Sequence, residues 1–290
     1  MIPINRFINY FLNLFQPLVS VGLLLAASIF SSSSAQAESV IVWQGSWQQG
    51  GLLLGQIDPS HHVSVAGESI KTTEDGHFLF GLGRNAQGAT SFIISRPNGT
   101  IAEEQYPVTE RDFPIQRIEG VPQRTVTPPA EQLQRIKSDS ALVGKARRDV
   151  TDKTDFLKGF IKPLQGPKTG VYGSQRFYNG VPKSPHYGVD YAAPTGTEVV
   201  APAAGIVRLA HRDLFYSGGT LIIDHGHGLS SSFLHLSDIL VAEGSRVERG
   251  DSIAKVGATG RATGPHLDWR MNWRNVRVDP ELVLKALPAQ

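Results

Sequence analysis

The 290-residue sequence contains no cysteine. That excludes disulfide staples, thiolate metal sites, a thiol nucleophile and a lipid-modified N-terminal cysteine. Any metal must be held by histidine, aspartate or glutamate. Charge of one dominant sign is also missing. With 28 Lys and Arg against 26 Asp and Glu, the formal charge is +2. Such balance leaves no electrostatic footprint for nucleic acid, and no nucleic-acid partner is expected. No phosphate-binding loop is present. GATGRATG (Gly257–Gly264) is glycine-rich, but it lacks the Lys-Ser/Thr ending and the dinucleotide spacing. Nor is there a G-x-S-x-G elbow for a serine nucleophile. What is abundant is glycine (30) and proline (18), beside 40% apolar residues. That composition fits a turn-rich β protein with a buried core better than a helical bundle.

One long apolar run stands at the N-terminus. Arg6 is the only charged side chain before Leu18–Phe30, which has the length of a signal h-region. Ser31 to Ser34 then lead to Ala35-Gln36-Ala37, a small-x-small cleavage site before Glu38. A signal peptide over 1–37 is expected, with a periplasmic mature protein. An uncleaved anchor over Phe7–Phe30 is the competing reading, weakened by Asn9, Asn13, Gln16 and Pro17. Membrane contact is expected only during export or through such an uncleaved signal.

The rest reads as an all-β chain in three parts. Over 38–121, short strand-forming runs (Val40–Trp43, Leu52–Ile57, His62–Gly67, His77–Leu82, Thr90–Arg96) alternate with turns, and Asp75-Gly76 and Asn98-Gly99 are hairpin signals. A small antiparallel β-sandwich of unassigned role is expected there. Its Asp58, His61, His62 and His77 show no repeated ligand spacing and read as loop residues. Over 122–155 the chain is a linker with a helix, helix-favouring from Ala130 to Asp152. The basic cluster Lys145, Arg147 and Arg148 reads as its solvated face, with binding to an anionic polymer as the alternative. Over 156–290 strands return: Val199–Pro202, Gly205–Ala210, Thr220–His225, Ser231–Leu236 and Ser252–Gly257.

Three clusters in this last part carry chemistry: HYGVD (His186–Asp190), SFLHLS with His235, and GPHLDW with His266 and Asp268. On a strand His266 and Asp268 point the same way, about 6–7 Å apart at ~3.3 Å per residue. His186 and Asp190 share parity but would be about 13 Å apart in a straight strand, so a bend is needed, and Gly188 can supply it. A catalytic zinc takes three N/O ligands and keeps one position open. His186, Asp190 and Asp268 can be those three. His235 and His266 then remain for proton transfer or oxyanion contact.

The segment from about Tyr172 to Pro280 closely resembles the lysostaphin/LytM-type zinc metallopeptidases. The resemblance runs in order through YGSQRFYNG (Tyr172–Gly180), HYGVDYAAPTGTEVVAPAAGIV (His186–Val207), IIDHGHGLSSSFLHLS (Ile222–Ser237), GSRVERGDSIAKVGATGRATGPHL (Gly244–Leu267) and VDP (Val278–Pro280). It implies a C-terminal antiparallel β metallopeptidase domain holding one Zn²⁺ per chain. It also implies an endopeptidase that cuts peptide cross-links of peptidoglycan, with peptide stems as the binding partner and metal-activated water as nucleophile. His186 and Asp190 are then metal ligands, and His235 and His266 the catalytic histidines.

One position departs. The family's motif ends in HLH, and here it is HLDW, so Asp268 stands where the second histidine binds the metal. A carboxylate can replace an imidazole at nearly the same distance, while making the centre less positive. The alternative is a catalytically degenerate wall-binding module that activates other murein hydrolases. A third class, a lipoyl- or phosphocarrier-like domain, lacks a modifiable lysine at a hairpin tip. Arg176 and Asn179 are expected either to line the groove and contact substrate or to stabilise a turn. His225 and His227 read as turn residues, Trp269 and Trp273 as core or groove wall, and Arg261 as a solvated loop arginine.

Overall fold

The Val-, Ile-, Leu- and Phe-rich runs become strands, and the computed structural model describes them over residues 40–290. The expected signal peptide lies outside the described residues. Val42–Gly45, Leu52–Gln56 and His77–Gly81 form one three-stranded antiparallel sheet. Glu68–Ser69, His62–Val65, Ala89–Ser95 and Ile101–Pro107 form a four-stranded one. Ile41, Ile57, Val63, Phe78, Phe92 and Ile94 are buried between them. Trp43 packs edge-on against Phe78 at 5.2 Å, and Trp47 stacks on Tyr106 at 4.7 Å. Asn98-Gly99 closes the hairpin between Ala89–Ser95 and Ile101–Pro107. Asp75-Gly76 is a turn but not a hairpin: it carries the chain from one sheet to the other.

The C-terminal half is built on one long sheet. Its strands run in the order Arg246–Val247, Gly205–Leu214, Gly218–Gly226, Leu229–Leu236, His266–Trp273, Val189–Ala192 and Lys168–Gly170. Val276–Val278 folds back beside His266–Trp273. Leu221, Ile223, Phe233, Leu267, Trp269 and Met271 fill the core on one face. That leaves residues of the opposite parity on His266–Trp273 for a groove.

The two halves share apolar packing. Leu52 and Leu79 belong to the same buried cluster as Val189, Trp269 and Val278, and Phe80 lies 5.5 Å from Trp273. Asp279 accepts from Arg111 at 3.0 Å and caps the helix Pro280–Ala286 through the Glu281 amide at 2.9 Å. The strand Ile115–Ile118 pairs in parallel with Gln175–Tyr178, so the segment before the linker supplies a groove wall. The linker helix, Leu133–Ala146, rests on the main sheet. Its Val143 and Ala146 meet Leu209, Leu214 and Ile222, and Asp139 accepts from the Phe215 amide at 2.7 Å. No helix among the described residues is long and apolar enough to cross a membrane.

Candidate active site

Antiparallel pairing of Val189–Ala192 with His266–Trp273 sets Asp190 directly opposite Asp268. His186, four residues earlier, is turned toward both, and its Nε2 lies 3.1 Å from Asp190 Oδ1. One ligand atom from each of His186, Asp190 and Asp268 falls within 4.8 Å of the other two, and all three residues are buried. The expected bend is at Gly188. A Cβ there would meet Asp268 Oδ1 at 2.5 Å and the Trp269 carbonyl at 2.6 Å, so only glycine lets the chain approach this closely.

Two arginines hold the carboxylates, Arg176 buried and Arg270 half-buried. Arg270 donates from Nε to Asp268 Oδ1 and Oδ2 at 3.0 and 3.1 Å, and from Nη2 to Oδ2 at 2.5 Å. Arg176 pairs with Asp190 Oδ2 and is itself fixed by Tyr178 Oη at 3.1 Å and Gln116 Oε1 at 3.3 Å. Burial alone would raise the Asp268 carboxyl. The Arg270 guanidinium, with His186, outweighs it and holds the group far below the usual carboxylate range. Burial and the facing Asp268 likewise oppose His186 and Arg176 at Asp190, and the net shift is downward.

The donor set fits a metal. His186 Nδ1 is buried without a hydrogen-bond partner, and His186 Nε2 and Asp190 Oδ1 meet at 3.1 Å without a well-aligned hydrogen bond. Each such orphan costs about 1–3 kcal/mol unless something satisfies it. His186 Nε2 and Asp190 Oδ1 lie beside Asp268 as one nitrogen and two carboxylates, a donor set suited to Zn²⁺.

His235 and His266 stand next to this cluster, with ring centroids 4.8 Å apart. His235 Nδ1 donates to the Thr259 carbonyl and His266 Nδ1 to the Gly264 carbonyl, each at 2.8 Å. A carbonyl can only accept, so in the neutral form of either ring Nε2 carries the free lone pair. Leu234 sits opposite Asp268, yet both Leu234 and His235 line the groove. Simple alternation forbids that. His235 has φ 65°, in the left-handed region, and the register against Gly218–Gly226 shifts at this point. Burial, reinforced by His266 against the opposing pull of Asp268, lowers the His235 pKa to about 4, so its ring is neutral at pH 7.

Arg176 lines the groove, as one reading of it held, but its guanidinium is spent on Asp190, Tyr178 and Gln116. Asn179 instead holds a turn at φ 48°, its amide bonded both ways to the Val121 backbone at 2.8 and 3.2 Å. His225 is a buried core group bonded to the Ala204 carbonyl and Ser231 Oγ. His227 sits in the neighbouring turn. Trp269 and Trp273 are buried. Two expectations are corrected. Arg261 is no solvated loop residue, because it is sandwiched between the Tyr178 and Tyr216 rings at 4.7 and 4.6 Å, where cation–π attraction holds it. Arg147 is not on a solvated face, because it turns into the groove and bonds Ser232 Oγ at 2.8 Å. Sequence reasoning missed Arg270. It has the same strand parity as His266 and Asp268, and that signal alone places it beside them.

Residues 184–280 match the model of Peptidase family M23. The peptidoglycan DD-endopeptidase ShyA of Vibrio cholerae is 43% identical over 103 residues, 36% of this chain and 23% of that protein. The DD-carboxypeptidase/endopeptidase Mpg of Neisseria meningitidis shows 43% identity over 103 residues with the same coverage. The matched segment thus spans about a quarter of the length of these curated relatives. A crystal structure of a candidate M23 peptidase from Pseudomonas aeruginosa aligns with a TM-score of 0.65 at 30% identity, covering 84% of this chain and 97% of that one. With a shared fold over nearly that whole neighbour and a matching core motif, the chain belongs to peptidase family M23.

Proposed function

We propose that this protein is a zinc-dependent endopeptidase of the cell envelope that hydrolyses peptide cross-links of peptidoglycan. One observation carries the reading: His186, Asp190 and Asp268 converge within 4.8 Å beside two histidines whose free Nε2 atoms face the same groove. The Vibrio relative, named a peptidoglycan DD-endopeptidase, points to the substrate. The expected signal over 1–37 points to export.

His186 Nε2 and one oxygen each of Asp190 and Asp268 would hold the ion. Bound zinc supplies Lewis acidity, which polarises an amide carbonyl and makes water acidic enough to attack at neutral pH. The chain's own residues then move the proton. His266 Nε2 accepts it as the water oxygen bonds to the amide carbon, and returns it to the leaving nitrogen as the C–N bond breaks. His235, neutral with its Nδ1 proton committed to Thr259, accepts a hydrogen bond at Nε2 and orients the water. Arg176 and Arg270 fix the ligand carboxylates through their other lone pairs. The test is incubation of zinc-loaded protein with cross-linked muropeptides and mass analysis of the products. Uncrosslinked monomers are expected, and none after chelation or in His186→Ala. Cleavage that persists under both conditions rejects the metal reading.

A specific observation also favours the second reading, a non-catalytic module that binds wall and activates other hydrolases. Two buried carboxylates facing two guanidiniums are balanced in charge with no cation present. Stoichiometric zinc in the purified protein supports the enzyme. No zinc at saturating supply supports the module.

A further inference from the structure

The groove does not end at the ligand cluster. It encloses about 1090 Å³, and its lining carries eight Lys and Arg side chains against three Asp. For a chain whose total formal charge is only +2, that is a local excess. Asp190 and Asp268 are taken by Arg176 and Arg270, and Asp139 caps the Phe215 amide. The surplus is therefore free cation.

Part of it gathers at one end. On His266–Trp273 the groove-facing parity continues from Asp268 through Arg270 to Asn272, and Asn272 pairs across the ladder with Arg277. Arg147 comes in from just beyond the linker helix and bonds Ser232, which is itself opposite Arg270. Among the described residues no carboxylate lies within ion-pair distance of Arg147 or Arg277. Arg147 Nε is buried with no hydrogen-bond partner, and so is Oδ1 of Asn272, a residue only 2% exposed. Burial lowers the pKa of both arginines. Arg147 is lowered further by Arg277 and Arg270, and Arg277, at about 10, by Arg270. Like charges this close in a half-buried groove are stabilised when an anion joins them. The unpaired amide oxygen beside them asks for an N–H donor. A carboxylate on a peptide backbone offers both.

We propose that Arg147 and Arg277, with Ser232 and Asn272, form a subsite for a free carboxylate of the bound peptide, so that the groove selects acidic stem peptides. This rests on the endopeptidase reading above and names its substrate class. Asn272 is four residues along the strand from Asp268, about 13 Å at ~3.3 Å per residue. The recognised carboxylate therefore lies about three to four extended residues from the bond that is cut.

The test is calorimetric titration of the full chain with a synthetic stem tetrapeptide bearing free carboxylates, with its fully amidated analogue, and with glutarate as a carboxylate that carries no peptide. The free acid should bind about tenfold tighter than the amide, as loss of a charge-assisted contact predicts. That preference should fall to about twofold or less in Arg147→Gln and in Arg277→Gln, while Arg147→Lys retains part of it. Glutarate should compete with the acid peptide only weakly, because it lacks the N–H for Asn272. Equal binding of acid and amide, binding of neither, or a preference that survives both glutamine variants overturns the subsite. So does glutarate that binds as tightly as the peptide, since the site then recognises a small anion alone. Hydrolysis of muropeptides without acid preference rejects the subsite and leaves the proposed reaction standing. Acid preference without hydrolysis does the reverse.

Discussion

Arg270 holds both carboxylate oxygens of Asp268, two residues away on the same face of one strand. The pair offers a reason why an aspartate can stand where the motif resemblance implies a histidine. The carboxylate brings one negative charge that imidazole does not, and the guanidinium cancels it within hydrogen-bond distance. Asp268 and Arg270 therefore act as one unit.

That unit makes Asp268→His a poor repair on its own. It would leave Arg270 largely buried without its carboxylate. A loss of about 2–3 kcal/mol is expected, less than for a fully buried pair because Arg270 keeps some solvent contact. Asp268→His combined with Arg270→Gln should recover most of that loss. Urea unfolding of the three proteins measures it, and equal stability of the single and double variants would refute the coupling.

His186→Ala should abolish stoichiometric zinc while leaving the strands intact. His186 is tied into the fold through its backbone, bonded to Gly173 and Ser174, which alanine would keep, while its imidazole makes no well-aligned hydrogen bond and meets only Asp190 Oδ1 at 3.1 Å. Metal analysis after dialysis, with circular dichroism as the control for folding, decides this. Retained zinc would place the ligands elsewhere.

Gly188→Ala tests the close approach. Its Cβ would press on Asp268 Oδ1 and the Trp269 carbonyl, displacing one ligand without removing any. Zinc affinity should fall about 10–100-fold, as when a group that orients a ligand is lost. A competitive chelator titration reads the change, and an unaltered affinity would contradict the geometry.

Acid should destabilise the metal-stripped protein before its carboxylates titrate. The His235 pKa is about 4 in the folded chain, against about 6.5 when unfolded. Above pH 6.5 both states are neutral and the group contributes nothing. Between pH 6.5 and 4 the unfolded state binds the proton and the folded state does not, so stability falls as pH falls, by up to about 3 kcal/mol. Asp190 and Asp268, held below the usual carboxylate range, lose their contribution only below about pH 3.8. Melting temperatures at pH 7 and 4.5 should differ clearly for the native chain. They should differ less for His235→Asn, a residue that tolerates the left-handed backbone there. An equal acid loss in both proteins would assign it to another group.

The sequence by itself determined the strands and the linker helix, because these follow from local periodicity, while the ligand set was expected from a motif resemblance. Apolar alternation built the N-terminal sheets, and the parity of His266 and Asp268 put both on the groove face. The same parity places Arg270 beside Asp268, its charge partner. Tertiary structure decided the rest, because it depends on which distant segments meet. Asp190 faces Asp268 only through strand pairing. His235 joins the groove through an irregular backbone that alternation cannot foresee. Arg147 looks like a surface residue of a polar helix until the end of that helix is laid against Ser232, 85 positions away. Short-range patterns fix what each segment becomes, while the burial of a charge is settled by whatever the completed fold places around it.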